Sequence, residues 1–510
     1  MQKTGGWSSS LLDFFKNLVH NIYISFYKER DINMKRVLAL LLVAVMALGF
    51  VSCGKTAGGD VPTLVWYLPC EKQADTALVC EEINKIIEPK IGAKIDIQYI
   101  ASADFTERLR LIMASQEEFD LCFTGFANPY LDGVRRGGFM ELTDLLEEYG
   151  KELSGTIPDY LWEAATIDGE IYAVPTYQAM TMCRAIYFNK EYVDKYNFDT
   201  SKVKKLEDIR PFLETIRDNE KGNIFPMARL GASYFFPEAF RYLQTSISYV
   251  SVDSKTNKVL FQFDAPEYEQ ARKTLKEWND AGFFNPDINA STPASQVACR
   301  VTDGHRPGVV ADEERNYGIE IIAVPLSDYA MDRSGANTTM TAISATSKHP
   351  EKAMQFIVEV NTNKEVFDLC AYGIEGKHYE RVSDTHIKID TESAYVPGGN
   401  WKYGCIFTGS LLEGYEDDLW EQIKKANDDS NKSVLLGFVA DTTPVTTAIS
   451  QIATVVGEYA EINNGTSTDL DAKMEEFNQR VEASGKKELI EYAEKVIYEY
   501  FDEKGIKYER

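Results

Sequence analysis

Apolar positions along the chain follow two periods. Thr63–Leu68 (TLVWYL) is a short continuous apolar run, the pattern of a strand buried on both faces. Ala74–Glu88 carries Leu78, Val79, Ile83, Ile86 and Ile87, a stripe at helical spacing. Ala93–Ile100 alternates Ile95, Ile97 and Tyr99 against Lys94, Asp96 and Gln98, which predicts a strand. Asp104 and Glu107 are spaced as a capping box ahead of a helix presenting Phe105, Leu109, Ile112 and Met113. Phe119–Gly125 (FDLCFTG) is a third strand. Strand–helix–strand–helix–strand with short links predicts a parallel sheet with right-handed crossovers. Ligands bind outside the carboxyl ends of such strands. Those ends are Leu68-Pro69, Ala101-Ser102 and the loop Thr124–Tyr130.

The stretch Gly169–Lys190 (GEIYAVPTYQAMTMCRAIYFNK) is the point around which the chain is organised. It is two apolar runs either side of Pro175, closing on Asn189-Lys190 and a helix start. Pro175 fixes its own φ and biases Val174 to extended geometry, so the stretch predicts an extended crossover between two lobes. Beyond it, helices are expected at Leu206–Asn219 and Glu267–Asp280, the second ending on Ala281-Gly282. Arg306–Asp312 reads as a loop, a short strand and a turn, and Glu320–Pro325 as a strand stopped by proline. Met340–Ala345 is expected to be a second crossover. His349-Pro350 opens a helix with proline in its first turn, and two helices close the chain after a polar loop at Asn463–Thr468.

The amino terminus has its own grammar. Residues 1–33 are aromatic-rich and carry no export signal, which marks them as a misassigned start or a disordered segment. Met34-Lys35-Arg36 is a short basic region, followed by 13 apolar residues, Val37–Gly49. That length suits a signal peptide and is short for a membrane span. Phe50-Val51-Ser52-Cys53-Gly54 then resembles a bacterial lipobox, with Phe50 where that pattern prefers Leu. The resemblance implies a signal peptide over 34–52, lipidation of Cys53 as the mature amino terminus, and a flexible tether over 53–62.

Composition narrows the classes of function. A chain of 510 residues predicts two or three domains. A net charge of −25 disfavours nucleic acid and docking on anionic lipid by charge alone. The eight cysteines form no CxxC pair and the five histidines no HExxH, so neither a structural nor a catalytic metal site is expected. Cys122 and Cys183 sit in apolar runs as buried thiols, while a Cys70–Cys80 bridge stays open on spacing alone. There is no GxSxG, no GxGxxG behind a strand, no GxxxxGK[ST] and no EF-hand loop.

Taken in order, the lipobox, GGFMELTDLL, DGEIYAVPTYQ, IYFNKEYVDKYNFD, SKHPEKAMQFIVEVNTNKEVFDLCAYGIEGKHYE and GFVADTTPVTTAISQI resemble the extracellular solute-binding family 1 proteins of bacterial ABC importers, in the branch described as carbohydrate-binding. The similarity covers roughly residues 34–510, and the order of the motifs is its specific part. It implies an α/β, two-lobe periplasmic-binding-protein-like fold (type II), each lobe a mainly parallel sheet flanked by helices. It further implies a ligand cleft between the lobes, no catalysis and no cofactor. The expected division is 63–174 and about 342–395 for lobe 1, about 178–340 and 396–510 for lobe 2, and hinge crossovers near 171–180 and 335–345. The expected partners are a small-molecule solute, carbohydrate by the resemblance, and permease subunits. The lipid anchor places a monomer on the extracytoplasmic face of the cell membrane. Competing readings are a binding protein for a peptide or other organic solute, a secreted glycan hydrolase and a surface adhesion protein.

A pyranose presents axial C–H faces that need flat apolar partners, and hydroxyls that need placed polar groups. With 28 Tyr, 26 Phe and 6 Trp, most aromatic residues must be core, so each candidate needs positional support. Phe126, Asn128 and Tyr130 lie at a strand's carboxyl end. Tyr177 follows the hinge proline closely, Tyr234 and Phe235 share a loop with Pro237, Asp312 ends the expected short strand, and Trp401 sits in the glycine-rich GGNWKYG. These eight are the candidate ligand-binding residues, with no catalytic residue and no metal ligand among them. Trp66 and Trp278 fall on a strand run and a helix stripe and are assigned to cores.

Overall fold

Nine strands build two sheets on either side of a set of crossing segments. They are β1 (Thr63–Pro69), β2 (Lys94–Ile100), β3 (Leu121–Thr124), β4 (Ala173–Pro175), β5 (Ala185–Asn189), β6 (Phe225–Met227), β7 (Val297–Thr302), β8 (Ile321–Pro325) and β9 (Met340–Ile343). The computed structural model describes residues 61–510 except 126–129, 221, 223 and 288–291. Residues 1–60, with the expected signal segment and Cys53, lie outside the described residues.

The first sheet has the order β2-β1-β3-β9-β4. β1 is parallel to β2 and β3, and β9 is antiparallel to both its neighbours. The continuous run of β1 sinks Leu64, Trp66 and Leu68, and the alternation of β2 sinks Ile95 and Ile97. The helix Thr76–Ile91 covers this sheet with Val79, Cys80, Ile83, Ile87 and Ile91, and ends at Gly92 with φ +66°. The helix Phe105–Ala114 forms as expected, but the Asp104 side chain makes no cap bond.

The second sheet has the order β8-β5-β7-β6. β5 runs antiparallel to β7 and β8, and β6 is parallel to β7. All five residues of β5 are buried, and Asn189 caps the next helix by accepting from Glu191 N at 3.1 Å. A separate antiparallel sheet of Tyr242–Gln244, Val250–Asp253 and Val259–Phe261 packs with the carboxyl-terminal helices Thr446–Glu458, Leu470–Ala483 and Lys486–Lys504 into a third core.

Three expectations are corrected. Met340–Ile343 is β9, a central strand of the first sheet, and Ala173–Pro175 is its edge strand β4. The crossovers are therefore 176–184 and 326–339, further along than the first proline and short of the second apolar run. Tyr403, Cys405, Ile406, Leu411, Leu419 and Ile423 pack into the first core, not into the second lobe to which 396–510 was assigned. Val309–Tyr317 is a helix, not a short strand. Gly308 at φ +84° turns the chain, and Val309 and Val310 then pack on Tyr187 and Ile321.

The seven described cysteines, Cys70 and Cys80 included, are all free and buried. Burial pushes the Cys80 thiol up to about 11 and raises those of Cys122, Cys299 and Cys370 further. Thiolate is the reactive form, so these groups should be inert when folded. Maleimide labelling read by mass is expected to leave the seven untouched in buffer and to modify all seven in denaturant.

Candidate cleft and functional site

Strand register shows where a ligand would lie. Ala185, the first residue of β5, stands opposite Thr302 and Pro325, the last residues of β7 and β8. β6 is parallel to β7, so the loop after it leaves on the same side. In the first sheet Met340 opposes both Thr124 and Pro175, and β1 and β2 run with β3. Both sheets thus aim their carboxyl ends at the crossing segments, the position at which open α/β sheets bind ligands. One rim carries the loops after β1, β2 and β3, and the other carries 228–240 and 303–308.

On the first rim Trp401 is 39% exposed and its ring meets Phe123 edge-on at 6.0 Å. Gly399 at φ +61° makes room for it, since a Cβ there would sit 2.5 Å from the indole nitrogen. The bed beneath is stiff. Lys402 is buried, and its Nζ donates to the carbonyls of Pro69 at 3.2 Å and Pro397 at 2.9 Å. Burial holds its pKa below the usual lysine range. The Tyr99 hydroxyl bonds those of Tyr395 and Tyr403 at 2.9 and 2.8 Å, and Tyr395 donates on to Cys370 O at 2.8 Å.

On the second rim Arg184, where the first crossing enters β5, is buried. Its Nε and Nη2 donate to the two Asp303 oxygens at 2.7 and 3.1 Å, and Nη1 donates to Ser233 O at 3.1 Å. Tyr234 and Phe240 flank the guanidinium at 4.7 and 5.9 Å. The Asp303 side chain stays 32% exposed, and a carboxylate has lone pairs left after a bidentate arginine contact. Beside it His305 Nδ1 lies 2.9 Å from the Tyr187 hydroxyl, and burial, with Arg306 alongside, lowers its pKa.

The floor is a ribbon of crossings. Met182 and Ala330 exchange both backbone bonds at 2.8 Å, and Leu326 N donates to Arg184 O at 2.7 Å. Asn427, fully buried, clamps the first crossing by accepting from Met180 N at 2.9 Å and donating to Gln178 O at 2.7 Å. A third segment joins as Asn431-Lys432 pairs with Ala330-Met331.

Of the eight candidates, the structure brings Trp401 and Tyr234 to the rims. Tyr130 turns inward, donating to Ala165 O at 2.7 Å and accepting from Tyr172 N at 3.0 Å. Tyr177 is 6% exposed against Phe407 at 4.6 Å, and Phe235 is 7% exposed against Trp278 at 4.9 Å. These three are packing residues, because each ring is itself buried and fills space beside another aromatic ring. Asp312 lies on the helix Val309–Tyr317 and accepts from the Tyr415 hydroxyl and from Arg315, the latter at 2.9 Å, tying that helix to the segment before Leu419. Phe126 and Asn128 lie outside the described residues. Arg184 and Asp303 escaped the sequence reading. Among the described residues no cluster of three His, Cys, Asp or Glu could hold a metal ion.

The bacterial extracellular solute-binding protein family matches residues 72–366, more than half of the chain. The chain belongs to that family. A Domain of unknown function (DUF3502) matches residues 434–502 of this solute-binding protein, the stretch that supplies the helices of the third core. A Carbohydrate ABC transporter substrate-binding protein of Streptococcus pneumoniae is 26% identical over 476 residues, 89% of this chain and 96% of that protein. The crystal structure of the N-glycan transport solute binding protein NgtS of S. pneumoniae superposes with a TM-score of 0.77 at 25% identity, over 87% of this chain and 100% of that one. NgtS in complex with Man5GlcNAc gives 0.66 at 25% identity, over 87% and 99%. The solute-binding protein therefore has the two-lobe α/β architecture of its family, and the family is extracellular.

Proposed function

We propose that this protein is the lipid-anchored substrate-binding component of an ABC importer, and that it captures an oligosaccharide by closing its lobes. The observation that carries this reading is the pair of rims on either side of the crossing ribbon. One offers the flat face of Trp401; the other offers Tyr234 on its arginine bed with the open edge of Asp303. That combination suits a sugar, whose C–H faces stack on rings while its hydroxyls donate to carboxylate oxygen. Phe126 and Asn128 follow β3 on the first rim and are proposed as further contacts. The fall in fit from 0.77 to 0.66 when NgtS carries a glycan is what rotation of two lobes about a hinge would produce. The ligand performs the work of closure, because it contacts both rims only when they approach. Delivery to permease subunits as a monomer, Cys53 as the anchor, and the absence of bond chemistry belong to the same proposal.

Calorimetric titration with mannosyl-N-acetylglucosamine, malto- and xylo-oligosaccharides, each in a short and a long form, tests it. One series is expected to bind one to one and to be recovered uncleaved. Trp401→Ala should then weaken binding about five- to thirtyfold, the worth of roughly 1–2 kcal/mol of buried aromatic face, at unchanged melting temperature. Failure of all series to bind, or appearance of shortened products, contradicts the proposal.

A further inference from the structure

A cavity of about 510 Å³ lies between the crossing ribbon and the end of the second rim, where Pro237–Phe240 line it. Its walls come from four parts of the molecule. Phe240 belongs to the loop that leaves the second sheet, Leu243 and Ser254 to a strand and the turn of the small antiparallel sheet, Leu326 and Asp328 to the second crossing, and Val434 to the third. The volume falls within the range of small-molecule sites. The lining mixes a ring, aliphatic side chains, a hydroxyl and an exposed carboxylate, the same chemistry as the rims.

Phe240 supplies an independent sign. Its φ is +59°, the left-handed region, where a bulky side chain is an outlier. Such strain persists only where the surroundings impose it, and it gathers at ligand sites. Here the ring turns its face to the Arg184 guanidinium, 5.9 Å from the ring centre, while the residue lines the cavity. Tyr234 on the rim and Phe240 in the cavity thus share one cation, which makes the two places neighbours.

We infer that this cavity is a subsite for a further sugar unit of the captured oligosaccharide, next to the unit held between Trp401 and Tyr234. It deepens the proposed function and rests on it. A unit seated there touches the second lobe and two crossing segments together, so longer chains should be held more tightly than short ones.

Two variants of the full chain test this. Ser254→Trp fills the cavity from an exposed position, and Phe240→Ala removes the ring. Each is titrated with the short and long members of the same three oligosaccharide series. Both variants are expected to weaken the long member about tenfold and to leave the short one within about twofold of wild type. If both bind the long and short members as wild type does, the subsite is overturned while the oligosaccharide reading stands. If a variant weakens both members equally, length discrimination is absent and the subsite is likewise overturned. If no series binds wild type, the oligosaccharide reading fails and the subsite with it. Should Phe240→Ala fold poorly, the Ser254→Trp arm decides alone.

Discussion

Gly125→Ala is expected to destabilise the protein by about 3 kcal/mol or more, and to change ligand affinity in the fraction that still folds. Gly125 stands where β3 ends and the first rim begins, at φ +153°, a conformation that L side chains rarely adopt. A Cβ there would lie 2.1 Å from the carbonyl oxygen of Thr338, in the second crossing. Backbone cannot rotate away as a side-chain tip can, so either the rim or the crossing must shift. The same substitution therefore strains the fold and displaces the hinge. Urea denaturation gives the first effect and glycan titration of the folded variant the second. A variant matching wild type in both would show that the crossing does not press on the rim.

Trp66→Ala is expected to cost about 3–5 kcal/mol, the usual loss for a fully buried large aromatic. Trp66 is 0% exposed in β1, and its ring meets Phe356 and Tyr403 edge-on at 5.4 and 5.9 Å. It joins the first sheet to the helix Pro350–Thr362 and to the segment that carries Trp401. Loss of the indole should thus lower glycan affinity as well as the denaturation midpoint. Trp66→Phe is the control. Among the described residues the buried indole N–H of Trp66 finds no hydrogen-bond partner, so removing it breaks none of their hydrogen bonds, and the smaller ring should be tolerated far better than alanine. Equal losses from the two substitutions would argue against packing as the role of this residue.

Much of the fold is legible because local pattern and burial agree. The continuous run of β1, the alternation of β2 and the stripe on Thr76–Ile91 each name the face that the structure buries. What is not local is not legible. Met340–Ile343 reads equally as a crossing or as a central strand, and only its pairing with β3 and β4 decides. Tyr403–Ile423 joins the first core through partners such as Tyr99, 304 residues from Tyr403. The site divides in the same way. Trp401 stands out because a glycine-rich loop surrounds it. Tyr130, Tyr177 and Phe235 have equally promising neighbours in sequence, but facing inward or outward is settled by which ring they meet. Arg184 is hidden inside an apolar run, and its partner Asp303 is 119 residues away, so no local signal could have joined them.

The central claim is that the two rims approach each other over an oligosaccharide. Spin labels on Glu71→Cys, in the loop after β1, and Lys204→Cys, on the second lobe, stand on exposed positions in a Cys53→Ser background, where the seven described native thiols are buried. Pulsed electron–electron distance measurement, with and without a bound glycan, reports the gap directly. A shorter and narrower distance distribution on binding is the predicted result. A distribution unchanged at saturation would contradict closure.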